Sequence, residues 1–463
     1  MDTKMKIAPV LDPEFVSAAV WHRAYLALCD QHPDSRDVVI GLERPDGTVF
    51  VHSMRVLGAS AETTDITLRA IERVVKFLLW QKGGSTLYIG GAPEVGESIA
   101  VRYASGGEGA FDWDFAGKVY GDELRVVVCD VSEVPAAREA ALPLGRHLDG
   151  CRIGFDLGGS DRKCAAVVDG KVVFSEEIEW DPYFEPDPEY HYAGICDSLS
   201  RAAAHLPHVD AIGGSAAGVY VDNEPRVASL FRGVAPEAFV ADVQPMFKRI
   251  QQEWNNVPFD VVNDGEVTAL AGALSLNDTS VLGIAMGTSL AAGYCDRDGH
   301  ITTWLNELAF APVDFRAEAP VDEWSGACGC GVQYFSQQAV SRLLPAAGIE
   351  VDTDMPLPKR LEYVQGLMAD GDERARKIYE TIGVYLGYSL AWYTEFYEIK
   401  HLLLLGRVTS GSGGDIIIHK AQDVLAAEFP ALHEQIRISM PDEKMKRHGQ
   451  AIAAASLSAI EDR

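Results

Sequence analysis

An α/β fold is what this sequence predicts, and three stretches predict it. In residues 152–174 two apolar runs flank the turn Gly158-Gly159-Ser160, and a second turn at Asp169-Gly170 leads into a third run, so the segment reads as three strands joined by tight turns. Residues 261–273 place Asn263 and Asp264 where a strand hands over to a helix, and residues 282–294 hold a further strand that ends in Gly287-Thr288-Ser289. A glycine turn at a strand end lets backbone N–H groups approach an oxyanion with no Cβ in the way, and Asp156 at the tip of the first strand can orient a cation or its bound water beside them. Taken singly, each stretch has a plainer reading: a hairpin with a solvated turn acid, or a helix N-cap at Asn263-Asp264. Together and in this order they describe phosphate handling.

At 463 residues the chain has the length of two to three domains, each able to bury its own core. The first 149 residues read as a separate α/β domain. Residues 15–29 have helical periodicity; residues 38–42, the turn Pro45-Asp46-Gly47 and residues 48–57 read as a hairpin. A helix follows, capped near Asp65, with Leu68, Ile71, Val75, Leu78 and Leu79 on one face, and it stops at Gly83-Gly84. Residues 85–89 return as a strand ending at Gly90-Gly91, and residues 104–109 read as an exposed loop. Hairpin, helix, strand and Gly-Gly echo the later segment, so a degenerate duplicate of it is one reading; a docking or dimerisation role is another. Residues 135–150 read as a linker or connecting helix.

Beyond the triple strand, residues 180–192 are rich in acids, prolines and aromatics and read as a surface loop that could overhang a cleft. A helix over 193–204 leads to a strand at 210–214. Later, residues 339–347, 357–369 and 372–398 read as helices, the last with a stripe through Ile378, Ile382, Tyr385, Leu386 and Leu390. It runs into the strand 401–405, a glycine-rich turn over 406–415 and a further helix.

Lys and Arg total 40 against 68 Asp and Glu, a net charge of −28, so the surface should repel nucleic-acid phosphates and a DNA-binding role is disfavoured. No apolar run approaches the roughly 20 residues of a membrane span, and the N-terminus lacks a signal-peptide pattern, so a cytoplasmic location is expected. The eight cysteines are scattered, which fits reduced core thiols better than a disulfide framework.

With these motifs in place, residues 150–463 resemble the ROK family, the repressors and sugar kinases of the actin-like ATPase superfamily. The family's first phosphate motif is similar to Asp156-Leu157-Gly158-Gly159-Ser160, its catalytic Asn-Asp pair to Asn263-Asp264, and its second phosphate motif to Gly287-Thr288-Ser289. The turn at 406–414 is similar to the adenosine-side motif, with Arg407 where a glycine is usual, and the turn 213–218, containing Gly214, to the sugar-side loop. The resemblance implies a two-lobed, RNase H-like fold with lobe 1 over 150–270, lobe 2 over 271–445, and a helix within 446–463, starting about His448, that returns to lobe 1. It also implies ATP and Mg2+ as cofactors. Asp156 would orient the magnesium through water. Gly158, Gly159, Ser160, Lys163, Gly287, Thr288, Ser289, Gly406, Gly413 and Gly414 would bind the nucleotide, and Asn263, Glu307 and Gly214 the acceptor.

The likeness frays after residue 305. ROK kinases carry a Glu-x-Gly-His motif that holds the sugar, and the His joins three Cys of a Cys-x-Cys-Gly-x-x-Gly-Cys-x-Glu segment on zinc. Here Glu307, Cys328, Cys330 and Gly331 match, whereas the His is Phe310, the third Cys is Phe335 and the final Glu is Gln337. Two thiolates do not complete a four-coordinate shell, so no zinc site is expected, and Phe310 and Phe335 are expected to fill the vacated volume. The reading that follows is an ATP-dependent carbohydrate kinase with Asp264 as general base; the alternative is a non-catalytic ligand-binding or regulatory protein with an eroded sugar site. The expected partner is a small carbohydrate or polyol, with no nucleic acid and no membrane; a homodimer is left open.

Overall fold

The computed structural model describes residues 1–139, 144–441 and 449–460. The chain opens with α1 (Ala18–Gln31), capped by Ser17 Oγ, which accepts from Val20 N. The hairpin β1 (Arg36–Glu43) and β2 (Val49–Val56) follows, then α2 (Thr64–Gln81), β3 (Thr86–Gly90), α3 (Pro93–Arg102), α4 (Ala110–Tyr120) and β4 (Arg125–Cys129). Only the loop 104–109 was expected in the stretch that forms α3, α4 and β4; it is the turn joining the two helices.

This first sheet has the strand order β2-β1-β3-β4, but the expected echo of the later fold is not there. β3 lies antiparallel to β1, whereas the corresponding pair in lobe 1, β5 and β8, is parallel. The cause is a strand count. Two strands precede α2 and three precede the helix of lobe 1, so the chain leaves the sheet in the opposite direction and crosses from β2 to a β3 that runs parallel to it on the far side of β1.

Lobe 1 comprises β5 (Cys151–Leu157), β6 (Asp161–Val168), β7 (Lys171–Glu179), α5 (Pro188–Ala203), β8 (Ala211–Ala216), the small hairpin β9 (Val219–Val221) and β10 (Glu224–Val227), α6 (Pro236–Ala238), α7 (Met246–Glu253), β11 (Phe259–Asn263) and α8 (Asp264–Leu276). The sheet order is β11-β8-β5-β6-β7, with β5, β8 and β11 parallel and β5, β6 and β7 antiparallel. The overhanging loop is shorter than expected, because Asp187 caps α5 and Pro188 starts it, well before residue 193.

Lobe 2 comprises β12 (Val281–Met286), β13 (Leu290–Cys295), α9 (Gln337–Leu343), α10 (Leu357–Ala369), α11 (Glu373–Tyr393), β14 (His401–Leu405), α12 (Ser412–Glu428), α13 (Pro430–Gln435) and β15 (Arg437–Ser439), in the order β13-β12-β14-β15. Finally α14 (Gln450–Ala455) lies flat on lobe 1; His448 of the expected helix falls outside the described residues. A Cβ on Gly213 would stand 1.7 Å from Ala454 O and one on Gly154 2.0 Å from Ala451 O, so these two glycines let the helix backbone rest on the sheet.

The hydrophobic core redraws the boundaries. Lobe 1 has its own cluster around Phe155, Ile195 and Phe247, but the first sheet and lobe 2 share one continuous core. Phe77 of α2 stacks on Phe396 at 4.0 Å and meets Trp392 edge-on at 5.7 Å, and Trp21 of α1 packs on Phe315 at 5.3 Å. Asp12 is bound by Arg316 at 2.9 Å, Arg342 at 3.0 Å and Tyr385 Oη at 2.6 Å, which ties the N-terminal strap to lobe 2. The expectation of a separate first domain therefore gives way to a unit built into lobe 2. Among the described residues no helix is long and apolar enough to cross a membrane.

Candidate active site between the lobes

Three carboxylates act on one another in the cleft. β5 delivers Asp156 near its C-terminal end, where the side chain is 8% exposed and accepts a 2.7 Å hydrogen bond from Ser215 Oγ on β8. β11 hands over to α8 at Asn263, whose Oδ1 accepts from Gly265 N at 2.7 Å and caps the helix, while its Nδ2 donates to Gly218 O at 2.7 Å. Asp264 is thus the first residue of α8, half-buried, with its carboxyl pushed up to about 6 by burial and then by the charge of Asp156. Glu307 is pushed up to about 7 by burial and by the charge of Asp264. Acids that raise one another in this way fit a bound cation, which would relieve the repulsion. Lys163, the cross-strand partner of Asp156, is 3.3 Å from Asp161 and faces the same cluster.

Both glycine turns adjoin this cluster. In the first, Gly158 N donates to Asp161 O and Gly158 O accepts from Trp180 Nε1 at 2.8 Å, so Gly158 holds the turn rather than facing a ligand. The Tyr183 ring covers Gly159, at 2.2 Å from where a Cβ would stand, and Arg232 stacks on Tyr183 at 3.9 Å, so the loop after Trp180 does overhang the turn. In the second turn Gly287 N is spent on Ser289 O, while Thr288 and Ser289 are exposed. The first turn of α8 rests on β13: a Cβ on Gly265 would stand 2.4 Å from Ala292 O, which brings Asp264 beside the strand leaving the second turn.

The residues expected on the adenosine side close the same end of lobe 2. Gly406, at φ 93°, approaches so closely that a Cβ would lie 2.4 Å from Met286 O, next to Gly287. α12 begins at Ser412 with Gly411 as an N-cap that offers no side-chain acceptor, so the N–H groups of Ser412, Gly413 and Gly414 form an anion-favouring helix end. Gly413 packs on Tyr379 and Gly414 against Thr409 O, which explains why both lack a side chain.

Around Glu307 the last carbonyls of α2 fasten the chain: Asn306 N donates to Gln81 O at 3.0 Å and Glu307 N to Trp80 O at 2.9 Å. Asn306, at φ 50°, sends its side chain inward to Glu266 Oε1 at 2.6 Å and Tyr397 Oη at 2.7 Å. Glu266 itself is pushed up to about 8, chiefly by burial. Phe310 lies buried among Trp80 and Phe111 of the first unit and Trp324 of lobe 2. Arg73 of α2 donates to Cys328 O at 3.4 Å, and Cys330 is buried. Gly214 corrects an expectation: it lies inside β8 with the Phe155 ring 2.2 Å from its would-be Cβ, a packing position with no access for an acceptor.

No protein-family model matches the sequence, and no curated protein is similar to it. Solved structures are similar in fold. A ROK hexokinase from Thermus thermophilus is 17% identical with a TM-score of 0.52, over 66% of this chain and 97% of that one. A ROK-family transcriptional regulator, described as a homologue of the E. coli MLC protein, is 18% identical with a TM-score of 0.51, over 67% of this chain and 79% of that one.

About two thirds of the chain shares the fold of these two structures.

A sugar kinase and a regulator share that fold, so the site has to decide the chemistry. In this chain Asp264 feels the charge of Asp156 and Glu307 that of Asp264, with Lys163 beside Asp156. Sequence reasoning missed Ser215, Glu266, Asn306 and Tyr220, whose hydroxyl is raised by burial and by the charge of Asp264. Of these only Glu266, two residues after the proposed base, carried a signal in the sequence.

Proposed function

We propose that this protein is an ATP-dependent kinase that transfers a phosphoryl group to a hydroxyl of a sugar or sugar derivative. The observation that carries the reading is the placement of Asp264 at the start of α8, its charge coupled to Asp156 on one side and Glu307 on the other, beside both glycine turns. Asp264 is the general base. A carboxyl poised near 6 is ionised at neutral pH yet basic enough to accept the proton of an attacking alcohol. Asn263, locked to Gly218 and to the helix end, fixes the direction in which that carboxylate points.

Asp156 and Lys163 would hold Mg2+ and the phosphates from lobe 1. Thr288, Ser289 and the amides of Ser412, Gly413 and Gly414 would hold the nucleotide from lobe 2. When bound, MgATP supplies the phosphoryl group and the charge that offsets the acid cluster. Glu307 would orient the acceptor by accepting from its hydroxyls. The resemblance to the ROK family and the shared fold support a carbohydrate rather than another alcohol.

A magnesium-dependent screen of ATP consumption against a sugar panel tests the reading. Asp264→Asn is expected to lower turnover by about 10²–10⁴-fold while nucleotide still binds; turnover that survives the substitution rejects the mechanism. A second reading, a non-catalytic ligand-binding or regulatory protein, is favoured by Tyr183 lying on Gly159 and by Phe310 buried where the family places a sugar-binding His. Tight sugar binding with no turnover on any compound would favour it.

A further inference from the structure

Beside these residues lies a cavity of about 490 Å³ built in part by the first unit. It is assembled from three parts of the chain. The Arg44–Asp46 turn and the end of α4 at Tyr120 come from the first unit, the β9–β10 hairpin and the edge strand β11 from lobe 1, and residues 302–305 from lobe 2. The volume falls within the range of about 300–1,000 Å³ typical of small-molecule sites. Its wall includes Gly218 and Asn263, so it adjoins the acceptor end, one residue from Asp264.

The wall chemistry selects among occupants. Arg44 is 6% exposed; it donates to Thr303 Oγ1 at 3.1 Å and to Lys82 O, and its Nε has no acceptor among the described residues. Arg226 pairs with Glu224 at 2.8 Å and its Nε also has no acceptor there. The same lining includes Asp46, Asp222, Asp260 and Glu266. A wall with donors and more numerous acceptors repels a phosphate or a carboxylate and suits hydroxyls, each of which donates and accepts.

We infer that this cavity binds the second residue of a neutral disaccharide or glycoside whose first residue is the one phosphorylated, so that the N-terminal unit sets acceptor length. The inference rests on the acceptor being a sugar. Calorimetric titration of the full chain with maltose, cellobiose and lactose, with their monosaccharides and with glucuronic acid tests it. One neutral disaccharide is expected to bind at least tenfold more tightly than either of its units, and Arg226→Ala and the cavity-filling Val221→Trp are each expected to erase that preference. Thermal unfolding and nucleotide-analogue binding report whether each variant is folded. Equal affinity for mono- and disaccharides, no binding of either, a preference for the acid sugar, or a preference unchanged in both variants overturns the inference. Disaccharide preference without phosphoryl transfer would leave the second-residue site standing and remove the kinase reading with its phosphorylated first residue; phosphorylation of monosaccharides with no length preference would do the reverse.

Discussion

The first sheet and lobe 1 begin alike, hairpin then helix then strand, yet they treat buried charge in opposite ways. In the first unit Asp112 is paired with Lys76 at 2.8 Å and bonded by Trp80 Nε1 at 2.6 Å, and Arg73 beside Glu72 holds that carboxyl below its usual range against the cost of burial. Around the site the half-buried Asp264 and Glu307 and the buried Glu266 lie beside other acids and are pushed up. Paired charges brace a structure; unpaired acids hold energy that a ligand can release. One added strand makes the difference, because it sets β11 as well as β8 parallel to β5 and brings Asp156 and Asp264 to the same end of the sheet.

The strongest way to break this contrast is through the shared core. Phe77→Ala, in α2, is expected to cost about 3–5 kcal/mol and to destabilise lobe 2 along with the first sheet, seen as one cooperative urea transition followed by probes in both regions. Two transitions would show that the first unit stands alone. Next in size is the pH response of the unpaired acids. The folded-state value of Glu266, about 8, lies above its ordinary 4.5, so its contribution to stability is full below about 4.5 and is lost as pH rises towards 8. Unfolding free energy should fall by on the order of 2–4 kcal/mol across that window, and Glu266→Gln should remove much of the slope.

A matched pair of glycines sharpens the contrast further. Gly154→Ala in β5 meets the backbone of α14, with the new Cβ 2.0 Å from Ala451 O, and should cost about 1–3 kcal/mol. Gly41→Ala in β1 meets only side chains, Val134 at 2.8 Å and Tyr88 at 3.3 Å, and should cost less, as chemical denaturation of the two variants would reveal. The smallest effect concerns the coupling itself. Asp156→Asn removes a neighbouring charge, so the carboxyl of Asp264, followed by carbon-detected NMR titration, should move down from about 6 towards the ordinary range. An unchanged value would mean that burial alone raises it.

Local patterns made lobe 1 readable in advance. The strand runs around Gly158-Gly159-Ser160 and the handover at Asn263-Asp264 stand where they were expected, because turn chemistry and capping act within a few residues. What escaped depends on distance along the chain. Asn306 reaches Glu266 and Tyr397 across separations of 40 and 91 residues, and nothing local marks such a triad. Gly214 looked like part of a ligand loop because it lies in a glycine run, whereas the ring of Phe155 decides its role. The direction of β3 was illegible for a similar reason: strand polarity follows from how many strands came before, not from the composition of any one of them.

The hold of Trp80 O and Gln81 O on residues 306 and 307 has a consequence for how this cleft can be inherited. The clasp is made of peptide carbonyls from the opening third of the chain, so a shortened version beginning at the lobe boundary would lose what fixes Glu307 together with the sheet it discarded.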